Sequence, residues 1–149
     1  VTRSQRDAFI QGVGDLLASW NLSHATGRVY AQLLLCEDPI SLASIGTSID
    51  LSKGAVSTSV RELVSWGLAR TIPQPGSRLL LVEAVGGLES LLAASHERAK
   101  EFVRTLRLGD ELVHGASARE RLHDVTALFE NYVDAGERML EQHRADRRG

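Results

Sequence analysis

Apolar residues recur at three- and four-residue steps along nearly the whole chain, and that period breaks in one place, between Leu68 and Val85. A helical period on both sides of a single short break limits the chain to a mainly α fold with one small β element. Phe9, Ile10, Val13, Leu16, Leu17 and Trp20 form the first stripe, which ends at Asn21-Leu22-Ser23, where Ser23 offers an N-cap. Val29, Leu33 and Leu34 form the second, stopped near Cys36 by Glu37-Asp38-Pro39. Ser41 is expected to cap a short helix with Leu42, Ile45 and Ile49, and Ser52 a further helix running to about Trp66 and closed by Gly67. Leu68 to Ile72 and Arg78 to Val85 then read as two strands joined by the turn Pro73-Gln74-Pro75-Gly76-Ser77. After Gly86-Gly87 two longer helices are expected, separated by a loop between Gly109 and Gly115.

Composition narrows the function classes. With 149 residues, 43% hydrophobic and 24% charged, at a formal net charge of −2, the chain has the profile of one folded domain rather than a disordered segment. Its single cysteine, Cys36, excludes an intrachain disulfide framework and fits a reducing compartment. No apolar run approaches the ~18 residues of a membrane span and no signal peptide opens the chain, so a cytoplasmic, non-membrane protein is expected. Aromatic residues are only 5% of the chain, too few for stacking platforms on single-stranded nucleic acid. Three compact helices and a hairpin make a sufficient core. The amphipathic helices at the chain ends then lack an obvious partner within one subunit, and a symmetric homodimer would bury their stripes. The competing reading packs the end helices on each other within one subunit.

The informative segment runs from Ile40 to Leu63 as helix, tight turn, helix. On a wheel of its second helix, Val56, Val60, Leu63 and Gly67 share one side, and Gly54, Thr58, Arg61 and Ser65 lie opposite, flanked by Ser57 and Lys53. That outer face is short, polar and mildly basic, with little bulk near its N-terminus. It suits the major groove of double-stranded DNA: Gly54 permits close approach, Ser57 and Thr58 offer hydroxyls, and Arg61 can reach guanine or phosphate. The N-terminus, at Ser52, also favours a phosphate. Between Leu51 and Arg78 the bases are Lys53, Arg61, Arg70 and Arg78 and the only acid is Glu62. The positive field is therefore confined to the helix and hairpin. Lys53, Arg70 and Arg78 are the phosphate candidates; Ser57, Thr58 and Arg61 are the base-edge candidates.

These residues also resemble a family. Gly27-Arg28-Val29-Tyr30, Leu33-Leu34-Leu35, Leu42, Leu51-Ser52-Lys53-Gly54-Ala55-Val56-Ser57, Leu63, Trp66-Gly67-Leu68-Ala69-Arg70 and Pro75-Gly76-Ser77-Arg78 are similar to the winged-helix regulators of the GbsR branch of the MarR family. The resemblance covers about Gly27 to Arg78. It implies a winged helix-turn-helix with flanking dimerisation helices: one domain over 1–149, a DNA-binding lobe at 22–85, and dimerisation helices at 1–21 and 86–149. It further implies a homodimeric transcriptional regulator whose second helix-turn-helix element enters the major groove and whose wing touches the backbone. Family members often repress, and some respond to small-molecule effectors bound between the dimerisation helices and the DNA-binding lobe. The default place for such an effector is between the N-terminal helix, the Val29 helix and the Leu88 helix.

Two positions depart from the family pattern. Asp50 stands where a glycine is common, at a turn position that can demand positive φ. In the wing, Leu79-Leu80-Leu81-Val82 replaces a polar and aromatic alternation and predicts a strand covered on both faces. Together they motivate a rival reading, a winged-helix protein-interaction module that does not bind DNA.

Other features point to no chemistry. His96, His114 and His123 lack metal-ligand spacing and read as surface or helix-end residues, and Cys36 after the leucine run reads as a small buried hydrophobe. Ser52-Lys53-Gly54 has the wrong order for a phosphate loop, and Gly12-x-Gly14 has no preceding strand. Trp20, Trp66 and Tyr30 read as core or interface. No cofactor or metal is expected, no catalytic set stands out, and the chain is read as a non-enzyme.

Overall fold

The computed structural model describes residues 2–149. Six α-helices and a small antiparallel sheet follow one another in the order α1 (Arg3–Ser19), α2 (His24–Leu35), β1 (Ile40–Ser41), α3 (Leu42–Ile49), α4 (Lys53–Ser65), β2 (Ala69–Pro73), β3 (Leu80–Ala84), α5 (Glu89–Arg107) and α6 (Ala116–Arg148). The chain forms two compact units, the first ending at Ser90 and the second running Leu91–Gly149.

In the first unit, side-chain caps set where helices begin. The hydroxyls of Thr2, Ser23, Ser41 and Ser52 each accept a hydrogen bond from a backbone N–H two or three residues into the helix that follows. Left-handed residues set where they stop. Asn21 (φ 73°), Asp50 (φ 56°) and Gly67 (φ 74°) turn the chain so that the amides of Leu22, Leu51 and Leu68 reach back to the carbonyls of Leu17, Gly46 and Leu63.

The helices of this unit close on one core of Ile10, Leu17, Val29, Tyr30, Leu33, Ile45, Val56, Val60, Leu63, Leu68 and Val82. α1 crosses α2 where two glycines face each other: a Cβ on Gly27 would lie 2.6 Å from the Cα of Gly14 and 3.0 Å from the carbonyl oxygen of Val13. Burial in this core holds the Tyr30 phenol above its usual pKa.

The wing has three strands rather than two. Ile40 pairs with Val82 and Ser41 with Leu81, so β3 lies between β1 and β2. Two residues are too few for a period to show in the sequence. The expectation that the apolar run would be covered on both faces does not hold: Val82 is fully buried, but Leu79 is 49% and Leu80 38% exposed. β2 pairs along the whole of β3 and β1 only at Leu81 and Val82, and only the middle of β3 reaches the core.

In the second unit α5 and α6 run antiparallel. Phe102 packs on Phe129 with ring centroids 4.5 Å apart, Arg107 pairs with Glu130 at 2.8 Å, and His96 Nε2 lies 2.8 Å from Glu137. His96 is thus buried and not the surface residue its sequence context suggests, because Gly136 leaves room for the ring against α6. The Gly109–Gly115 connection includes a 3₁₀ turn at Leu108–Glu111. Cys36 is half-buried rather than core, since α2 ends at it, and its Sγ accepts from Gln32 Nε2 at 3.5 Å.

Two outcomes follow. Gly27→Ala forces α1 and α2 apart, and its urea midpoint should show a loss of about 2 kcal/mol or more; a midpoint equal to the parent's would contradict the crossing. The His96 hydrogen bond, helped by Lys100, holds the Glu137 carboxyl below its usual pKa. Its stabilisation is therefore complete above the ordinary carboxylate range and is lost as pH falls through the lower folded value. Glu137→Gln should flatten the acid limb of a stability–pH curve, and an unchanged limb would count against this contact.

Candidate nucleic-acid interface

α4 divides into two faces that do different work. Val56, Val60 and Leu63 are buried, joined by Ser59, whose hydroxyl accepts from Thr26 Oγ1 at 3.2 Å in the interior. Burying three branched side chains, at roughly 1.5–3 kcal/mol each, fixes the rotation of the helix about its axis. The opposite face is consequently held outward. Ser52, Lys53, Gly54, Thr58, Arg61 and Ser65 are exposed and Ser57 is half-buried.

The preceding turn aims this face. Asp50 takes the left-handed conformation at φ 56° and ψ 56°, as the sequence suggests for that position. Gly46 lets the chain fold back, since a Cβ there would lie 2.8 Å from the carbonyl oxygen of Leu51. The Arg28 guanidinium on α2 donates to the Ile49 carbonyl at the end of α3 and so ties the turn to the core. Glu62, the one acid of the basic segment, is turned back toward α2, where its carboxylate accepts from the Ser23 amide at 3.4 Å.

The N-terminus of α4 is open in space and charge. A Cβ on Gly54 would meet nothing within 4 Å, and the first turn carries no acidic residue. Helix amides, the Ser52 cap and the Lys53 ammonium can therefore converge on one anion. Farther along, Arg61 lies along the helix, with one guanidinium nitrogen 3.4 Å from Thr58 Oγ1. It is free to extend.

The hairpin arginines differ from each other. Arg70 sits opposite Glu83 near the base of the β2–β3 ladder, and its Nε donates to that carboxylate at 2.6 Å. Its charge is largely offset within the protein. Arg78 lies at the tip, exposed and without an ion pair among the described residues. In the sequence the two look like equal cations, because Glu83 lies five residues beyond the basic segment that ends at Arg78. The tip is a β-turn with Pro75 and Gly76 (φ 71°) at its centre, closed by the Ser77 amide to the Gln74 carbonyl at 3.1 Å.

Among the described residues no group of three His, Cys, Asp or Glu gathers to hold a metal, and no helix is long and apolar enough to cross a membrane. The exposed apolar side chains include Phe9 and Leu16 on α1, Phe102 on α5, and Val125, Leu128, Tyr132 and Met139 on α6.

No protein-family model matches the chain. Over 132 residues it is 25% identical to the HTH-type transcriptional regulator MmpR5 of Mycobacterium tuberculosis, covering 84% of this chain and 80% of that one. A crystal structure described as a transcriptional regulator superposes with a TM-score of 0.59 at 20% identity, over 95% of this chain and 99% of the other. A MarR variant from E. coli, crystallised with operator DNA, aligns at 19% identity over 82% of this chain and 83% of that one, with a TM-score of 0.42.

The αL turn gives a direct check. Asp50→Ala should lower stability by about 1 kcal/mol, because alanine has no side chain to hydrogen-bond locally in that conformation, whereas Asp50→Gly should stay closer to the parent. Equal losses for the two variants in urea denaturation would contradict a left-handed constraint at this position.

Proposed function

We propose that this chain, a non-enzymatic transcriptional regulator with the MarR-like winged helix-turn-helix fold, acts as a homodimeric repressor that reads a pseudo-palindromic operator through α4. The observation that carries this reading is the outward face of α4: small or polar, cation-bearing, open at its N-terminus, and fixed in rotation by the buried face behind it. In this reading Ser52, Lys53 and Gly54 seat a phosphate, Ser57, Thr58 and Arg61 face base edges, and Arg78 touches the backbone or minor groove. Arg70 is a phosphate contact only if it leaves Glu83. The match to the curated regulator over most of both chains supports the assignment. Placement in the GbsR branch rests on the sequence segments alone.

A homodimer is supported by the exposed apolar stripes of the first and last helices, where Leu16 is 62%, Leu128 67% and Tyr132 60% exposed. Two recognition helices related by a two-fold axis would address half-sites about one helical turn, roughly 34 Å, apart. An effector role is supported by a cleft of about 260 Å³ between α1, α2 and the α3–α4 turn, lined by Arg3, Asp7, Arg28 and Asp50. A small polar molecule there would act on the turn that aims α4.

The rival reading, an interaction module without DNA, draws on the exposed wing leucines. Salt separates the two. Duplex affinity should fall linearly in log–log form with salt, with a slope of about −0.9 per phosphate neutralised. Arg61→Ala should cost about 1–3 kcal/mol on the operator and relax sequence preference, whereas Glu83→Gln, by releasing Arg70, should tighten binding and steepen the slope by about one. Absence of duplex binding at low salt would overturn the regulator reading. An Arg61→Ala protein that binds operator and scrambled DNA as the parent does would overturn the role of Arg61.

A further inference from the structure

The wing ends in leucines that neither the core nor the proposed phosphate contacts use. Leu79 is 49% and Leu80 38% exposed, immediately after the exposed Arg78. They are held firmly. The Pro75-Gly76 turn closes the tip, the Leu79 amide donates to Ser77 Oγ at 3.0 Å, and the Gln74 amide donates to the Leu79 carbonyl at 3.3 Å. A stiff hairpin thus presents two bulky apolar groups to water next to a guanidinium.

Their surroundings favour a nucleic-acid occupant. β2 pairs along the whole of β3, β1 covers its other edge at Leu81 and Val82, and Pro73 ends the free edge of β2, so the stretch of strand edge left open at the tip is too short to recruit a strand from another protein. Lys53, Arg61 and Arg78, which have no ion pair among the described residues, match a polyanion. Glu83 removes Arg70, leaving the wing a single cation at its tip. A wing built only to clamp phosphates would carry polar or basic groups where this one carries leucine.

Resting on the DNA-binding reading above, we propose that the wing is a minor-groove wedge: Arg78 enters the groove and Leu79 inserts at a base step, partly unstacks it and kinks the operator. Unstacking costs a few kcal/mol per step, an amount the leucine burial and closer wrapping can offset. The wedge also reads sequence. Pyrimidine–purine steps such as TA and CA unstack most easily, so the wing selects them at positions it does not hydrogen-bond.

The test uses the full-length protein and a duplex selected by it from random DNA. 2-Aminopurine is placed under the wings, and the bend is read by energy transfer between dyes at the duplex ends. At saturating protein the parent should raise 2-aminopurine emission severalfold and shorten the end-to-end distance. Leu79→Ala should lose most of both signals and about tenfold in affinity, while Leu79→Met, similar in volume, should retain them. Because Leu79 is exposed, the alanine variant should keep the parent's helical circular dichroism. A parent that binds its operator with neither unstacking nor bend overturns the wedge and leaves the regulator reading intact. A parent that enriches and binds no duplex overturns both. An alanine variant that bends DNA like the parent but sediments as a smaller species also overturns the wedge, and assigns the leucines to contact between copies.

Discussion

The buried face of α4 is the constraint on which the rest depends. Val56, Val60 and Leu63 lock the rotation of that helix, and the buried Thr26–Ser59 hydrogen bond adds a directional contact to α2. Everything presented outward follows from what is fixed inward: a hydroxyl cap, a lysine, a glycine and an arginine on one exposed surface. The other helices of the first unit serve this arrangement. The glycine crossing lets α1 lie close on α2, Arg28 holds the end of α3, and Asp50 supplies the left-handed turn between α3 and α4.

Charge is managed locally. In a chain of net charge −2 a positive field exists only where acids are withdrawn from the basic residues. Glu62 is drawn toward the Ser23 amide behind α4, which leaves Lys53 and Arg61 uncompensated. At the wing the opposite occurs: Glu83 holds Arg70 and only Arg78 is left at the tip. The result is an outward α4 face that carries most of the polar chemistry, beside a wing tip that sets one cation next to exposed leucines.

Much of this was legible in the sequence, for identifiable reasons. Caps at Ser23, Ser41 and Ser52 and the stop at Gly67 are local chemistry, so helix ends were readable to within a residue or two. The exposed face of α4 followed from its period, and the backbone demand at Asp50 from the turn it occupies. What stayed hidden depends on distant partners. β1 is two residues long and exists only because β3 passes beside it. His96 looks like any helical histidine until Gly136, forty residues on, is seen to make room for it. The Arg70–Glu83 pair needs the hairpin register, and the exposure of Leu79 and Leu80 depends on how far the wing projects beyond the core.

The central claim is that the surface of α4, presented by two copies of the chain, reads duplex sequence. Selection of bound fragments from random double-stranded DNA tests it most directly. The selected pool should be enriched in an imperfect palindrome with half-site centres about one helical turn apart, and should lose preference at specific base pairs when Arg61 is replaced by alanine. A pool that stays random through repeated selection at low salt, or one enriched identically by the parent and the Arg61 variant, would contradict it.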